Sequence, residues 1–478
     1  MFVAGIKTAM QTKHFPAFFF TLLLTTAYAQ NDLPHRLDAL LGEATRKDIF
    51  SGNVLIVKDG RVLFQKSTGT SDEENNLPNT ADTKFSIGSI TKIFTRIIVL
   101  QLAAEGKIAL NTSLGKYLSG FRPEVADHVT VLHLLNHQSG LGQYYEVPGF
   151  DPGEKEIASA SDFLPWIRQE PLAFEPGERA EYSNSGYVVL AALIEKVEGK
   201  PYDKVLKYRI LDKIGMTSTG FLYRLKNLPG KAVGYLSNIP GPHQDNLGFA
   251  LLGGGDGGIY STLGDLLKLD QSLADDNRLL SDADKLILFN EPLFPRQYRD
   301  WQEFRKEGRY AIAGGAPGVS AVLGRNNEQN RTVIVLSNFD EGSAEAVFRR
   351  IGAVLNGEQP EPLQPSPSKF IYQLLTDKGP DWFGANIERE LQANGYELDD
   401  DMVLLYAGQA LLNEKKAGEA IALYRFYTEK FPRIVVAWND LGDAYLLKND
   451  RDNAKKCYSK ALELRPGNVR AKESLEKL

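Results

Sequence analysis

The C-terminal part of this 478-residue chain repeats itself with a period of 34 residues. The recurring residues are small, aromatic or proline, namely Gly408, Ala420, Tyr424 and Pro432, then Gly442, Ala454, Tyr458 and Pro466. Such a period is typical of a helix pair that cannot bury its apolar face alone and stacks on its neighbours. The recurrence therefore predicts an all-α domain over residues 370–478, with repeats at 401–434 and 435–468.

The second copy has the spacing of a tetratricopeptide repeat at Trp438, Leu441 and Tyr445. Small residues at the repeated positions let two helices approach closely, and the aromatic side chains fill the space beside them. Two repeats alone are usually too few to be stable. We therefore expect helices at 370–376, 386–393 and 470–478 to cap the stack.

A proline-rich segment precedes this array. Its four prolines, which favour a stiff and extended connector, are Pro360, Pro362, Pro365 and Pro367. The sequence therefore predicts a linker at 357–369 after a first domain at 30–356.

The first domain has strand-like runs at both of its ends and helical patterns between them. Runs 52–57 and 61–64 flank Asp59-Gly60, a dipeptide that suits a tight hairpin because glycine tolerates positive φ. A second pair of runs, 319–323 and 332–336, brackets a polar turn. This order predicts an α+β domain whose antiparallel sheet is closed by its own terminal segments.

The first 29 residues have the features of an export signal. They contain Lys7, Lys13 and no acid, then an apolar run over 17–24 and the small-x-small sequence Ala27-Tyr28-Ala29. The alternative, a membrane anchor, is disfavoured because the run is far shorter than the ~20 residues that span a bilayer. Export without a disulfide framework favours a Gram-negative periplasm over secretion.

Charge and cysteine content exclude several functions. A net charge of −6 without a basic run makes nucleic acid and anionic membranes poor partners. The only cysteine, Cys457, can form no internal disulfide, and we expect it to be packed on a repeat helix rather than reactive. The six histidines are scattered, so neither a metal nor another cofactor is expected.

Ser89 opens a helix whose apolar residues follow the helical period, namely Ile90, Ile93, Phe94, Ile97 and Ile98. In the first turn, free backbone N–H groups and the positive end of the helix dipole surround the hydroxyl and can stabilise a developing negative charge. Lys92 lies three residues on and on the same face. Loss of hydration lowers the pKa of such a lysine, so the pair predicts a serine nucleophile activated by a lysine base.

The Ser-x-x-Lys pattern is common by chance, and this chain has two further copies, Ser113 to Lys116 and Ser366 to Lys369. The first lies in a turn-like segment. The second lies in the proline linker, where nothing desolvates the lysine. Only Ser89 starts a buried helix.

Tyr182 and Asn184 lie at the entrance of another apolar helical pattern, over 188–197. One interpretation is an N-cap, in which Ser183 or Asn184 satisfies the free N–H groups of that helix. The other is functional, with a phenol that relays a proton and an amide that holds a substrate carbonyl. The presence of Ser89 favours the functional interpretation.

Taken together, the chain resembles the class C β-lactamase, D,D-peptidase and related esterase family over about residues 45–357. The landmarks are Ser89-Ile90-Thr91-Lys92, residues 134–141, Pro176-Gly177 followed by Tyr182-Ser183-Asn184, and residues 254–262. The resemblance implies that Ser89 is acylated, that Lys92 and Tyr182 share the general-base and general-acid roles, and that Asn184 contacts the substrate. Which of Lys92 and Tyr182 takes the first proton is left open.

The third motif of the family, a lysine or histidine followed by x-Gly, should fall at Ile312-Ala313-Gly314, so an isoleucine occupies the cationic position. Gly315 would still provide an oxyanion N–H together with that of Ser89. The missing cation weakens a β-lactamase or carboxypeptidase interpretation and affects an ester or peptide hydrolase less. The prediction is an exported serine hydrolase with an acyl-enzyme mechanism. The alternative is a degenerate binding module that serves, with its repeats, as a protein-interaction scaffold.

Two other motifs are weaker. Gly253, Gly255 and Gly258 fit Gly-x-Gly-x-x-Gly, but without a βαβ pattern we interpret them as a tight turn before a helix capped by Ser261 or Thr262. His137 has the chemistry of a catalytic imidazole, and a hydrogen-bonded structural histidine is the favoured interpretation.

Overall fold

The computed structural model describes residues 18–147, 150, 157, 159–221, 228–246, 254–340, 342–396, 398 and 402–478, with side chains from residue 32 onward except that of Met402. Of the predicted signal peptide, residues 1–17 lie outside this description, and so does Gly253. Within the described part of the chain, no helix combines the length and apolar character needed to cross a membrane.

The described ranges contain ten strands, which form one large sheet and two small ones. They are β1 (Gly52–Lys58), β2 (Arg61–Thr68), β3 (Thr70–Asp72), β4 (Leu77–Pro78), β5 (Phe85–Ser86), β6 (Gly220–Phe221), β7 (Ile259–Ser261), β8 (Arg309–Ala316), β9 (Val319–Asn326) and β10 (Arg331–Ser337).

The large sheet is antiparallel, with the order β2-β1-β10-β9-β8. Its adjacent strands β1 and β10 come from opposite ends of the first domain, and Gly52 pairs with Ser337. The predicted sheet closed by its own terminal segments is therefore confirmed. The first hairpin turns at Asp59 and Gly60, whose φ angles of 51° and 73° are both left-handed.

Among the residues of the first domain that the structure describes there are twelve α-helices. They are α1 (Phe18–Arg46), α2 (Thr91–Ala104), α3 (Pro123–Ala126), α4 (Val131–Leu135), α5 (Leu164–Ile167), α6 (Asn184–Glu198), α7 (Tyr202–Leu206), α8 (Asp212–Ile214), α9 (Leu263–Asp275), α10 (Asp282–Phe289), α11 (Trp301–Glu307) and α12 (Ser343–Leu355).

The large sheet has an apolar core on each face. Val54 and Ile56 of β1 face the core that contains residues of α1 and α12. Leu55 and Val57, which alternate with them, face the larger core around α2 and α6. Because β1 is buried on both faces, the sheet lies between two helical layers.

The small sheet β5-β7-β6 leads the chain into the turn that carries Ser89. Directly after β5, the Ile87 N–H donates to the Ile259 carbonyl at 3.0 Å. A 3₁₀ turn over Gly88–Ile90 follows, and α2 continues from it. The glycine-rich segment was expected to lead directly into a helix, but β7 comes first. Thr262 rather than Ser261 is the N-cap of α9, because its hydroxyl accepts from the Asp265 N–H.

The part of the C-terminal domain that the structure describes contains seven α-helices. They are α13 (Pro367–Lys378), α14 (Pro380–Ala393), α15 (Met402–Asn413), α16 (Ala417–Lys430), α17 (Val435–Leu447), α18 (Arg451–Leu464) and α19 (Val469–Glu476). Helices α15 to α18 are the two predicted repeats, and the remaining three lie where capping helices were expected. Since α13 begins at Pro367, the end of the predicted linker is helical.

Each repeat packs a tyrosine against a glycine. A Cβ added at Gly408 would lie 2.3 Å from the Tyr424 ring, and one added at Gly442 would lie 2.6 Å from the Tyr458 ring. Cys457 is buried between these helices, and burial raises its pKa to about 11. The thiol is therefore packed and protonated, as predicted.

Candidate active site

The Ser89 hydroxyl lies between two proton-transfer groups. Lys92 Nζ is 3.1 Å from Ser89 Oγ, and the Tyr182 hydroxyl donates to the same oxygen at 2.8 Å. Lys92 reaches the serine because the 3₁₀ turn that carries Ser89 runs directly into α2, of which Lys92 is the second residue, whereas Tyr182 comes from the loop before α6. The structure thus brings the three residues into hydrogen-bonding distance.

Lys92 is buried, and its ammonium has two further acceptors. Nζ donates to Asn184 Oδ1 at 2.7 Å and to the Asp256 carbonyl at 2.9 Å. Burial lowers the pKa of Lys92 to about 8, against the smaller opposing effects of Asp256 and Glu291. At pH 7 a lysine with that pKa is neutral in about one molecule in ten, a fraction far larger than for an exposed lysine. Lys92 is therefore suited to accept a proton.

Tyr182 is suited to donate one. Although 42% of the residue is exposed, burial around its hydroxyl raises the pKa of the phenol well above its usual range. The phenol is therefore protonated at neutral pH, which agrees with its donation to Ser89 Oγ.

Asn184 is the first residue of α6, and its side chain is not needed as a cap. Ser183 is the N-cap, because its hydroxyl accepts from the Gly186 N–H at 2.9 Å. While Asn184 Oδ1 accepts from Lys92, its Nδ2 donates to Gln143 Oε1 at 2.7 Å. Gln143 thus fixes the orientation of the amide, a role that the sequence analysis missed.

Strand β8 runs closely against the turn that carries Ser89. A Cβ added at Gly314 would lie 2.1 Å from the Ile87 carbonyl oxygen and 2.7 Å from the Ser89 nitrogen. One added at Gly88 would lie 2.9 Å from the Gly315 nitrogen. Glycine at 88 and 314 therefore allows the backbone nitrogens of Ser89 and Gly315 to lie side by side.

The glycine-rich segment before β7 supplies a backbone group to the site. Gly255 has a left-handed φ of 93°, and a Cβ there would lie 2.5 Å from Ala191. Its carbonyl accepts from Thr95 Oγ1 at 2.6 Å, and the next carbonyl, of Asp256, accepts from Lys92. These glycines allow close packing against α2 and α6.

Comparison with known proteins identifies the family. The beta-lactamase family model matches residues 37–356. Penicillin-binding protein 4* of Bacillus subtilis is 30% identical over 354 residues, which cover 69% of this chain and 77% of that relative.

The chain belongs to the beta-lactamase family.

Other likenesses agree with this membership. Esterase EstB of Burkholderia gladioli is 33% identical over 204 residues, which cover 40% of this chain and 52% of that protein. The crystal structure of a penicillin binding protein from Bacillus halodurans has a TM-score of 0.57 at 27% identity, covering 66% of this chain and 98% of that chain. The tetratricopeptide repeat model matches residues 435–468. The predicted β-lactamase-related hydrolase with a C-terminal repeat is thus confirmed.

Ile312 occupies the position at which we expected the lysine or histidine of the beta-lactamase family. It lies on β8, two residues before Gly314, and is partly buried. Its side chain, together with those of Ser89, Lys92 and Tyr182, lines a cavity of about 210 Å³. An apolar side chain therefore stands beside the reacting groups.

His137 lies behind Tyr182 and is hydrogen-bonded, as the structural interpretation proposed. Its Nδ1 accepts the Ser183 N–H at 3.0 Å, and its ring stacks on that of Tyr182 with centroids 4.7 Å apart. Burial, helped by Lys92 and Arg96, lowers its pKa to about 3, so the imidazole is neutral. With Nδ1 as acceptor, the ring proton is on Nε2, which lies 3.3 Å from Glu291 Oε1.

Glu291 and Arg96 form a buried ion pair beneath the site, 2.9 Å between Oε2 and Nη1. Neither residue was identified from the sequence. Arg96 had a signal, because a cation one turn after Lys92 on a buried helix face is unusual. Glu291 had none, because it lies 195 residues further along the chain.

The other two Ser-x-x-Lys sequences are structural. Ser366 is the N-cap of α13, and Lys369 forms an ion pair with Asp48 at 2.5 Å. Ser113 lies just before a 3₁₀ turn over Leu114–Lys116. Both serines are thus turn or cap residues.

Proposed function

We propose that this protein is an exported serine hydrolase that cleaves an ester or amide through an acyl-enzyme on Ser89. The observation that carries the proposal is the convergence of Lys92 Nζ and the Tyr182 hydroxyl on Ser89 Oγ, at 3.1 and 2.8 Å. A nucleophile with a base and an acid in direct contact is the arrangement that acyl transfer needs.

In the proposed first step, Lys92 takes the proton as Ser89 Oγ bonds to the substrate carbonyl carbon. The lowered pKa of Lys92 and the raised pKa of Tyr182 favour this order, because the phenol already holds its proton. The N–H groups of Ser89 and Gly315 stabilise the oxyanion.

When the intermediate collapses, the bond to the leaving group breaks and Tyr182 is placed to protonate the departing oxygen or nitrogen. Water then attacks the acyl-serine and gives its proton to the deprotonated Tyr182, Lys92 returns a proton to Ser89 Oγ as the acyl bond breaks, and the acid product leaves. Asn184 contacts the substrate.

The substrate class follows from Ile312. Without a cation at that position, a carboxylate next to the scissile bond has one partner fewer. This favours an ester or peptide hydrolase over a β-lactamase or carboxypeptidase.

Export and a repeat-bound protein partner belong to the same proposal. The N-terminal sequence supports export, with a periplasmic location favoured over secretion. The repeat domain supports a protein partner, since stacked helix pairs form extended binding surfaces. The export prediction is tested by N-terminal sequencing of the protein from a periplasmic extract, where the expected first residue is Gln30 and an intact N-terminus would reject it.

A fluorophosphonate probe, which loses fluoride as it phosphonylates the serine oxygen that a substrate would acylate, tests the catalytic proposal. The wild-type protein should be labelled stoichiometrically, and Ser89→Ala should not be labelled. Ser113→Ala is the matched control, since Ser113 also belongs to a Ser-x-x-Lys sequence, and it should be labelled like the wild type. Equal labelling of Ser89→Ala and wild type would reject the proposal.

Ile312 and the repeats also support a second candidate, a binding module that has lost catalysis. Turnover of a short-chain p-nitrophenyl ester separates the two. Turnover that disappears in Lys92→Ala supports the enzyme, whereas its absence in the wild type supports the binding module.

A further inference from the structure

Part of the lining of the cavity beside Ser89 is apolar. This part is formed by side chains from the end of α10, the segment after it and β8, namely Leu288, Phe289, Leu293, Phe294 and Ile312. Leu288 and Phe289 are fully buried, whereas Leu293 is 40% exposed. The cavity thus runs from a closed apolar floor to an apolar mouth.

The charged groups that border this cavity are already engaged. Arg96 pairs with Glu291, and Lys92 donates to Asn184 and Asp256. A carboxylate placed here would lose its hydration without gaining a free cation among the described lining residues. The cavity is therefore built for an uncharged group.

The position of Tyr182 indicates which half of a substrate lies here. Tyr182 lines the cavity, and so do Ala311 and Ala313, which lie on β8 before Gly314. Asn184 and Gln143 are not among the described residues that line it. Because a leaving group must lie next to the acid that protonates it, the cavity is on the leaving-group side of the scissile bond.

We propose that this cavity selects substrates with an uncharged, apolar leaving group, and that Ile312 is a specificity-determining residue for that group. The inference rests on the proposed function and specifies which half of the substrate the cavity binds. In the reaction, the bond between the acyl carbon and the alcohol oxygen breaks, the alcohol takes a proton and the acyl group remains on Ser89. A longer apolar chain should then raise kcat/KM when it lies in the alcohol, and much less when it lies in the acid.

Two isomeric esters test whether the cavity binds the leaving group or the acyl group of the substrate. Hexyl acetate and ethyl hexanoate have the same formula and similar intrinsic reactivity, but the longer chain lies in the alcohol of the first and in the acid of the second. Each buried methylene contributes up to about fourfold to binding. We expect kcat/KM for hexyl acetate to exceed that for ethyl hexanoate by at least about tenfold, as measured by pH-stat titration.

Ile312→Lys tests whether Ile312 determines the preference for an apolar leaving group. It places a cation in the apolar wall, so we expect kcat/KM for hexyl acetate to fall about tenfold while ethyl hexanoate changes less than threefold. The 6-acetoxyhexanoate ion, whose leaving group carries a carboxylate, should be a poor substrate of the wild type and should improve in Ile312→Lys. Leu77→Lys is the matched control, since Leu77 is 51% exposed on β4, and it should leave all three rates unchanged.

A preference for ethyl hexanoate, equal rates for the two isomers, or a preference that survives Ile312→Lys would overturn the inference. These outcomes differ from failure of the proposed function. In that case neither ester is hydrolysed, or hydrolysis persists in Ser89→Ala.

Discussion

The repeat array and the active site are held together by contacts of very different range. In the array, Gly442 packs against Tyr458, which lies on the next helix of the same repeat. In the active site, Tyr182 reaches Ser89 across 93 residues of sequence and Lys92 reaches the Asp256 carbonyl across 164. The first kind of contact recurs with a period, and the second occurs once.

The two regions also differ in what they bury. The glycine–tyrosine contacts of the repeats are steric, whereas the site buries Lys92, Arg96, Asp256 and Glu291 within one small volume. Even a buried ion pair often stabilises a fold no more than well-packed apolar side chains of similar volume would. The site therefore trades stability for reactivity, and substitutions in the two regions should have separable effects.

The largest effect should come from Lys92→Met. Loss of the base should lower kcat for a p-nitrophenyl ester about 10³-fold, within the range of general acid–base catalysis. Stability should change by no more than about 1–3 kcal/mol, because the removal of a buried charge is set against two acceptors, Asn184 Oδ1 and the Asp256 carbonyl, that lose their donor. Thermal unfolding and steady-state kinetics measure both.

Lys285→Met is the matched control for this substitution. Lys285 is a second buried lysine of the same domain, and its ammonium donates to the Asp276 carbonyl at 2.6 Å and to Asn277 Oδ1 at 2.7 Å. Its kcat should stay within a few-fold of wild type. A Lys92→Met variant that keeps more than a fifth of the wild-type kcat would contradict the role of the base.

A smaller loss is expected for Gly314→Ala. The added methyl group would lie 2.1 Å from the Ile87 carbonyl oxygen, so β8 must move away from the Ser89 turn. Separating the two oxyanion donors should lower kcat about 10²-fold. Gly352→Ala on α12, where a Cβ meets nothing within 4 Å, should leave kcat unchanged. Similar kcat values for the two variants would show that β8 does not position a donor.

Gly442→Ala should have the opposite profile, with stability lost and catalysis kept. Its methyl group would overlap the Tyr458 ring, and overpacking of this kind costs about 1–3 kcal/mol. Hydrogen exchange should show faster opening of α17 and α18, while kcat stays at the wild-type value. Gly384→Ala on α14, where nothing lies within 4 Å, should not destabilise the domain. A fall in kcat of Gly442→Ala would mean that the two regions are coupled.

The smallest effect is expected from Glu291→Gln, which removes the carboxylate that contacts Arg96 and His137. The base must be neutral to act, so kcat/KM should rise with pH around a midpoint near 8, the pKa of Lys92. Asp256 and Glu291 are the two acids that favour its charged form, and Arg96, which pairs with Glu291, disfavours it. Glu291→Gln removes one acid and leaves Arg96 unpaired. The midpoint should therefore move to lower pH, by about half a unit.

This shift distinguishes an electrostatic and positioning role of Glu291 from simple loss of packing. Glu195→Gln is the control, because Glu195 is a buried carboxylate outside the site that accepts from Ser161 Oγ at 2.9 Å and from the Tyr202 N–H at 3.0 Å. It should alter stability without moving the midpoint. A wild-type midpoint well above 9 would instead assign the first proton to Tyr182.

Several features could be predicted because neighbouring residues decide them. The hairpin at Asp59-Gly60 needs only two residues that adopt left-handed φ. The period of 34 residues defines the repeat helices, and the apolar pattern after Ser89 places Lys92 on its face of α2. Tyr182 and Asn184 were found because their loop has a recognisable sequence.

Other features were decided only when distant segments packed together. The sequence missed β7, three residues long, because its pairing with β5 and β6 defines it more than its own composition does. It also missed Glu291, whose partners Arg96 and His137 lie on segments far away in the chain.

The sequence by itself determined the residue types of the site and the local geometry that sets Ser89 and Lys92 one helical turn apart. Only the tertiary structure decided that Lys92 is buried, that Tyr182 stacks on a neutral His137, and that Ile312 lines an apolar cavity. The physical reason is the separation in sequence between the residues that decide each property. Helical spacing is set by adjacent peptide units, whereas burial and the pKa of a buried lysine depend on every segment that surrounds it.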